Sequence, residues 1–358
     1  MFVLWLTGAP GVGKSTVGWG LYGRARAEGV AVAYVDIDQL GILVPAPVGD
    51  SDRHQLKAIN VLRVLETFRR YGVEQVIVSG VVDPDRGIER VRDALGTGVG
   101  LVRLCCSREE LRRRYLGRGS PEELVDRLMA VADALECNGI GAPFDTTAMS
   151  PDEVVEKLAE QMKPGRAEVI PLASELAGPV AGEGLPVLVL VGPTAVGKSA
   201  VGWEVLQLLR GRGIPAAYID VEQLGFCSGE LAPMVKGENL LQVWRGYREA
   251  GARALIVVAR GAPDRYETAL AGELVRTVYL EASPGVLAER IALRGHGRGP
   301  RLAGDSLVGA SPLRQAGLVV RAAEEAGGLR ENRGGAWVID TDERTIAAVA
   351  GELLLGLL

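Results

Sequence analysis

The stretches "TGAPGVGKSTVGWG" at residues 7–20 and "VGPTAVGKSAVGWE" at residues 191–204 are two copies of one pattern. Each contains G-x-x-x-x-G-K-S, follows an apolar run and opens a helical pattern, which is the context in which this motif forms a phosphate-binding loop. Glycines let backbone N–H groups face a phosphate, and the helix N-terminus adds partial positive charge. The sequence therefore predicts two phosphate sites in one chain.

The motif also predicts which side chains act in each loop. Lys14 and Lys198 are expected to reach the β- and γ-phosphates, and Ser15 and Ser199 to bind Mg²⁺ through their hydroxyls. The remaining nucleotide-binding candidates belong to the same loops and are Gly8, Gly11, Gly13, Thr16, Gly192, Gly197 and Ala200.

The similarity extends well beyond the loops. At an offset of 184, residues 8–41 align without a gap on residues 192–225, with 16 identities in 34 pairs. The offset then falls to 179, where "KAIN" at 57–60 matches "KGEN" at 236–239, so the second copy lacks five residues. The chain is therefore interpreted as an internal duplication.

Apolar runs alternate with helical patterns in both copies, which predicts an α/β fold. We expect two tandem domains at 1–163 and 186–358, joined by a Pro-, Gly- and Ala-rich linker at 164–185. Each domain is predicted to hold a mostly parallel five-stranded sheet with helices on both faces. In the first copy the expected strands are near 2–7, 31–36, 75–80, 99–105 and 142–145.

Composition disfavours several classes of protein. The net charge of −5 disfavours a general nucleic-acid binder, and no apolar run is long enough for a membrane span. The four cysteines lack metal-ligand spacing, which disfavours zinc and fits a reducing cytoplasm.

Acidic residues follow the second strand of each copy, in "AYVDIDQLG" and "AYIDVEQLG". Asp36 and Asp38 in the first copy become Asp220 and Glu222 in the second. Side chains at i and i+2 of a strand point the same way, so each pair is expected to face the cleft above its phosphate loop. A carboxylate there could take a proton from an attacking hydroxyl or help to hold Mg²⁺.

The order of strand, phosphate loop, helix, strand and D-x-D resembles the P-loop kinases of small molecules. This AAA-like group includes shikimate, gluconate and adenylylsulfate kinases and chloramphenicol phosphotransferase. The resemblance implies transfer of the γ-phosphate of ATP, or of another NTP, to a hydroxyl. It makes Asp36 the base, assisted by Asp38, gives Asp220 that place in the second copy, and makes Ser15, Asp36, Ser199 and Asp220 the Mg²⁺ ligands.

Kinases of this group close an arginine-bearing lid over the nucleotide. The matched pairs Arg114/Arg118 and Arg290/Arg294, each at i,i+4, are the lid candidates, and Arg298 and Arg301 follow in the second copy. "DT" at 145–146 and 340–341 resembles the adenine-side loop of these kinases.

The copies differ most at residues 42–56 and 226–235, which the kinase interpretation places beside the acceptor. The first is polar and includes His54, whereas the second is more apolar. After the third strand, the first copy keeps Ser79 and Gly80, and the second has Arg260, which would bind an anionic acceptor or be exposed. We expect the first copy to be the catalyst, because Asp36/Asp38 and Ser79/Gly80 are the set more familiar from such kinases.

Several alternatives stay open at this point. A nucleotide-binding switch or scaffold of low turnover also suits a duplication, and a nucleic-acid end kinase is disfavoured by the charge balance. "GPTAVGKS" resembles the phosphate loop of tRNA prenyltransferases over those residues alone. The expected partner is a small hydroxylated acceptor, with no stable nucleic acid and no membrane. The two halves are expected to pack on each other, and a homodimer is a further alternative.

Overall fold

The computed structural model of the chain describes residues 1–161, 183–227, 232–261, 263–296, 309–332 and 336–357. Most of the predicted linker, together with Arg298 and Arg301, lies outside the described residues. In the described part of the chain, no helix has the length and apolarity needed to cross a membrane.

The strands of the first repeat lie within one residue of the bounds predicted from its apolar runs. The pattern of residues 121–136 predicts a helix over that range, but the helix begins at Val125, because a short 3₁₀ turn follows Pro121. In chain order, the described elements are β1 (Phe2–Thr7), α1 (Lys14–Ala27), β2 (Val32–Asp36), β3 (Leu43–Val44), α2 (His54–Arg70), β4 (Gln75–Ser79), α3 (Glu89–Leu95), β5 (Val99–Cys105), α4 (Arg108–Gly117), α5 (Val125–Cys137), β6 (Ala142–Asp145) and α6 (Pro151–Gln161).

The second repeat follows the same plan. Its described elements are β7 (Pro186–Val191), α7 (Lys198–Gly211), β8 (Ala216–Asp220), β9 (Phe226–Cys227), α8 (Ala232–Glu249), β10 (Ala254–Ala259), α9 (Asp264–Ala269), β11 (Leu274–Glu281), α10 (Pro284–Gly295), α11 (Pro312–Asn332), β12 (Trp337–Asp340) and α12 (Ile346–Leu357).

Both sheets are mostly parallel, which confirms the predicted α/β class. The strand orders are β6-β5-β1-β4-β2-β9 and β12-β11-β7-β10-β8-β3. The prediction of five strands in each sheet is wrong, because each sheet has a sixth strand of two residues that runs antiparallel. So short a strand leaves no periodic pattern in the sequence.

The sixth strand of each sheet comes from the other repeat. β9 follows β8 in the chain but pairs with β2, through Tyr34↔Phe226 and Ala33↔Cys227. Conversely, β3 follows β2 but pairs with β8. The exchanged strands cover the sheet edges that β2 and β8 would otherwise leave open.

The chain accordingly forms two compact units, each of which includes a segment from the other repeat. The first unit comprises Met1–Gly41, Arg53–Gly178 and Gly225–Val235. The second unit comprises Ile42–Asp52, Pro179–Leu224 and Lys236–Leu358. The predicted domains 1–163 and 186–358 remain a prediction, and they did not include this exchange.

Aromatic packing fixes β9 in the first unit. The Phe226 ring lies 4.8 Å from Trp19 and 6.1 Å from Tyr34, measured between ring centroids. The matched positions of Trp19 and Trp203, on the helix that follows each loop, predict core packing for both. The second prediction is wrong, since Trp203 is 48% exposed.

We expect Phe226→Ala to lower the free energy of unfolding by about 2 kcal/mol, because it removes a half-buried ring that packs on two others. Urea denaturation followed by circular dichroism measures the effect. Val48→Ala, at a fully exposed position in the other exchanged segment, is the control and should leave the midpoint unchanged. An equal midpoint for both variants would show that β9 contributes nothing to stability.

Candidate functional site

The first phosphate loop begins at a glycine that has no room for a side chain. A Cβ on Gly8 would lie 2.3 Å from the carbonyl oxygen of Leu104, and its φ is +137°. The loop turns into α1 at Gly13, whose φ is +110°. Lys14 is buried there, and its ammonium donates to the carbonyl oxygens of Gly8 and Ala9, each at 2.9 Å.

The second loop repeats this geometry. The Lys198 ammonium donates to the carbonyl oxygens of Gly192 at 2.7 Å and of Pro193 at 2.8 Å. One position differs: Ala195 takes a φ of +67°, where Gly11 of the first loop takes +89°. A left-handed conformation is less favourable for alanine than for glycine, so the second loop is the more strained.

Burial lowers the pKa of both Lys14 and Lys198 to about 8. Both remain mainly protonated at pH 7. Each loop therefore holds a buried cation at the place where a phosphate would be bound.

Asp36 faces the first phosphate loop. Its Oδ2 accepts a hydrogen bond from the Ser15 hydroxyl at 3.3 Å, and its Oδ1 accepts one from the backbone N–H of Asp38 at 3.0 Å. A 3₁₀ turn at Ile37–Leu40 follows directly, so the strand alternation that predicted a common direction for the two acids does not apply. Asp38 is half exposed and pairs with the Lys57 ammonium at 2.6 Å.

The two acids have opposite pKa shifts. Burial, with the charge of Asp38 adding to it, raises the pKa of Asp36 to about 6. Burial would also raise the pKa of Asp38, but the charge of the Lys57 ammonium and its hydrogen bond to Asp38 outweigh burial and lower that pKa. One carboxyl group is thus able to exchange a proton near neutral pH while its neighbour stays ionised.

In the second unit, Asp220 is buried and accepts a hydrogen bond from the Glu222 N–H at 3.0 Å. Burial raises the pKa of Asp220 to about 6 as well. Glu222 pairs with Lys236 at 2.6 Å. Ser199 contacts Tyr218, and among the described residues it makes no hydrogen bond to Asp220. The second unit therefore lacks the hydroxyl–carboxylate contact of the first.

Sequence reasoning missed the residues that hold these acids. Lys57 and Lys236 bind the second acid of each pair, and Asn60 and Asn239 each donate to a carbonyl oxygen of the 3₁₀ turn at 2.7 Å. The signal was present, because the chain has six lysines and four of them are matched between the repeats.

Arg114 and Arg290 brace the phosphate loops. Arg114 donates to the carbonyl oxygen of Val12 at 3.2 Å, to the Thr146 hydroxyl at 2.9 Å and to the Thr146 carbonyl at 2.8 Å. Arg290 makes the same three hydrogen bonds in the second unit, each at 2.9 Å. Both were predicted as lid residues, and the structure places them between the loop and the residue that follows β6 or β12.

The other predicted arginines are less constrained. Arg118 is exposed, with its guanidinium 5.4 Å from the centre of the Tyr115 ring, and Tyr115 lies against Gly11. Arg294 is half-buried one turn beyond Arg290, and Arg260 is exposed. Arg118 donates from Nε to the Ser120 hydroxyl at 3.0 Å, so this lid candidate is held by neighbours on its own segment and has no printed hydrogen bond to the first loop.

A cavity of about 360 Å³ lies in the first unit, and its wall includes Ile37 and Lys57, the neighbours of the acid pair. The sequence predicted that residues 42–56 border the acceptor. Ile42–Asp52 belongs to the second unit, and of that stretch only His54 and Gln55 line the cavity, so its place beside an acceptor stays a prediction. Gly225–Val235 belongs to the first unit, and the matching prediction for 226–235 also stays a prediction.

Ser79 and Gly80 pack against residues on either side of Asp36. The buried Ser79 hydroxyl lies 2.7 Å from that of Tyr34. A Cβ on Gly80 would lie 2.1 Å from the side chain of Ile37. These residues therefore shape the turn that carries Asp36.

A carboxylate lies on the second phosphate loop. Glu325, on α11, accepts hydrogen bonds from the Thr194 backbone N–H at 2.7 Å and from its hydroxyl at 2.8 Å. The Glu325 charge also acts on Lys198 and raises its pKa, against the larger effect of burial. The corresponding position of the first loop is Pro10, which has no N–H to donate.

The residues around the first loop suit a magnesium ion. The described residues contain no group of three or more His, Cys, Asp or Glu side chains placed to hold a metal. Magnesium commonly uses one or two carboxylates, with water and substrate phosphates as its other ligands. The hydroxyl of Ser15 and the carboxylate of Asp36 meet that requirement.

Comparison with known proteins supports the resemblance of the first repeat. Residues 4–134 match the model of a family described as an AAA domain. No curated protein matches the chain.

Several solved structures are similar to about half of the chain. A gluconokinase from Sinorhizobium meliloti 1021 is 20% identical, with 49% of this chain and 93% of that chain covered and a TM-score of 0.32. The Deinococcus radiodurans tunicamycin resistance protein is 20% identical, with 48% and 98% covered and a TM-score of 0.38. The shikimate kinase from Bacteroides thetaiotaomicron is 18% identical, with 48% and 98% covered and a TM-score of 0.34.

We expect Glu325→Ala to tighten ATP binding at the second loop by about tenfold, because it removes a negative charge that lies on the loop and repels phosphate. Calorimetry in a Lys14→Ala background separates this loop from the first. Glu324→Gln, which changes an exposed neighbour, is the control. Unchanged or weaker binding would mean that Glu325 supports the loop instead of blocking it.

Proposed function

We propose that the first unit is a phosphotransferase that uses ATP and Mg²⁺ to phosphorylate a hydroxyl of a small molecule. The observation that carries the proposal is the contact between Ser15 and Asp36, which joins the phosphate loop to an acid beside the cavity. The resemblance of the motifs to P-loop kinases of small molecules supports the same activity.

The nucleotide would be held by the loop from Gly8 to Thr16, and Mg²⁺ by the Ser15 hydroxyl, with water and the substrate phosphates as its other ligands, so that the carboxylate of Asp36 is left free to take a proton. The bound nucleotide supplies the phosphoryl group, and the metal neutralises part of its charge. Lys14 places a fixed cation at the same point, and Arg118 is the residue able to close over it.

Asp36 takes the proton of the acceptor hydroxyl in this proposal. Its raised pKa makes it a stronger base than an ordinary aspartate, while Asp38 stays charged and held by Lys57. The Lys57–Asp38 ion pair therefore holds the turn next to Asp36, and Asp36 alone acts as the base.

We expect kcat/KM for the acceptor to fall as the pH drops through about 6, because the base must be ionised and burial raises the pKa of Asp36 to about 6. ADP release between pH 5 and 8 measures this. Asp38→Asn should move this fall in kcat/KM to lower pH, because it removes a neighbouring negative charge that raises the pKa of Asp36. A rate that does not change between pH 5 and 7 would exclude Asp36 as the base.

We expect Lys14→Ala to reduce acceptor-dependent ADP release by about 10²-fold or more, since it removes the cation nearest the phosphates. Lys198→Ala, the matched change in the second loop, should keep most of the turnover. The measurement uses the full chain and a panel of alcohols. If Lys198→Ala alone abolishes turnover, the second unit is the catalyst, and if neither change matters, both assignments fail.

A regulatory role for the second unit is the second candidate, and Glu325 on its phosphate loop favours it. A carboxylate on the loop places a negative charge beside the phosphate site and opposes the binding of phosphate. On this proposal the second unit binds nucleotide with low turnover.

A further inference from the structure

Polar side chains gather on the face of the first sheet that α1 covers. In β2, Tyr34 and Asp36 are two residues apart and point to the same face, and Ser79 of β4 is the register partner of Asp36. Helix α1 packs on this face at Gly18, where a Cβ would lie 2.9 Å from the Tyr34 ring. Ser15 lies one turn earlier on the same side of α1. The sheet and the helix therefore bring three hydroxyls and one carboxylate together.

These four groups form a row of contacts, the hydroxyl row. Ser79 and Tyr34 are fully buried, and their hydroxyl oxygens lie 2.7 Å apart. The Tyr34 hydroxyl also interacts with the Ser15 side chain. Ser15 in turn donates to Oδ2 of Asp36 at 3.3 Å. The hydroxyl row thus leads from the interior of the sheet to the acid beside the phosphate loop.

The number of protons sets the direction of these hydrogen bonds. An ionised carboxylate only accepts, and each hydroxyl has one proton to donate. Because Ser15 gives its proton to Asp36, the Tyr34 O–H donates to Ser15, and the Ser79 O–H donates to Tyr34. Burial raises the pKa of Tyr34, so its proton is present at neutral pH. The Ser15 oxygen then has one lone pair left for a further ligand.

The second repeat keeps the packing of this face but not the hydroxyl row. A Cβ on Gly202 would lie 3.1 Å from both Tyr218 and Val258, so its helix sits on the sheet as α1 does. Val258, the register partner of Asp220, has no hydroxyl. Tyr218 contacts Ser199, which makes no hydrogen bond to Asp220 among the described residues. The missing hydroxyl and the missing contact with the acid occur together.

We infer that Tyr34 and Ser79 are positioning residues for the Ser15 hydroxyl: their hydrogen bonds turn its proton towards Asp36 and leave one lone pair of its oxygen for Mg²⁺. This inference rests on the proposed function for the presence of Mg²⁺ at Ser15. Because Tyr34 and Ser79 are fully buried, they act through Ser15 and not on the nucleotide itself. A metal ligand that is already oriented by its neighbours binds the metal more tightly.

The magnesium dependence of ATP binding tests the inference without requiring catalysis. Calorimetry on the full chain in a Lys198→Ala background, with and without Mg²⁺, measures binding at the first loop. We expect Tyr34→Phe to reduce the gain in ATP affinity on adding Mg²⁺ by about fivefold, as for the loss of one hydrogen bond, and to leave binding without Mg²⁺ unchanged. Ser79→Ala, the smaller change, should reduce the gain by about twofold.

Tyr218→Phe in the same background is the matched control. It removes the corresponding buried tyrosine hydroxyl from the second repeat, so the gain on adding Mg²⁺ at the first loop should stay the same. Ser79→Ala keeps the inference testable even if Tyr34→Phe does not fold.

The pH dependence of ADP release gives a second readout. The hydrogen bond from Ser15 favours the ionised form of Asp36 and lowers the pKa of that carboxyl. Tyr34→Phe weakens this bond, so the fall in kcat/KM should move to higher pH by about half a unit. Asp38→Asn is expected to move it in the opposite direction.

Equal losses of ATP affinity with and without Mg²⁺ would show that Tyr34 only supports the fold, and would overturn the inference. A gain that neither Tyr34→Phe nor Ser79→Ala reduces, or no gain at all on adding Mg²⁺ to the Lys198→Ala chain, would overturn it too. A reduced gain in a protein that releases no ADP with any acceptor would contradict the kinase function and leave the positioning role standing. ADP release with a gain that neither variant changes would do the reverse.

Discussion

The fit of the phosphate loop against the neighbouring strand is the constraint on which the rest of each unit depends. In the first unit the loop passes so close to Leu104 that only glycine is accommodated at position 8. Arg114 then ties the loop backbone at Val12 to Thr146, and thereby connects it to the residues beyond β6. Because the loop is held on both sides, the buried ammonium of Lys14 has a fixed position relative to the sheet.

The exchange of short strands is what distinguishes this chain from two separate domains. In the first repeat the chain leaves its own unit directly after the turn that carries Asp36 and Asp38, at Gly41. The turn is therefore anchored by its own unit through Asn60 and Lys57. The residues that follow it pair with β8. The acid pair of one unit is thus covalently adjacent to an edge strand of the other.

The two units have corresponding lysine, acid and arginine residues but differ in the contacts around them. Both bury a lysine in the loop, both raise the pKa of an acid at the end of the second strand to about 6, and both brace the loop with an arginine. They differ around these common parts. The first has the Ser15–Asp36 contact and a cavity that contains Trp5, whereas the second has Glu325 on its loop. The two units therefore repeat a common set of residues and differ in the contacts around it.

The sequence by itself indicated the internal repeat, the α/β class, the two loops of the phosphate-binding pattern and the acids that follow the second strands. Each of these is a local pattern, because the spacing of glycines and lysine or the period of apolar residues is enough to specify it. Only the tertiary structure decided which segment completes which sheet, since pairing between two-residue strands such as Phe226–Cys227 and β2 leaves no periodic signal. It also decided that Arg114 braces the loop and that Glu325 reaches Thr194 across 131 positions of sequence. These are long-range contacts, and they depend on how the elements pack rather than on any pattern within one of them.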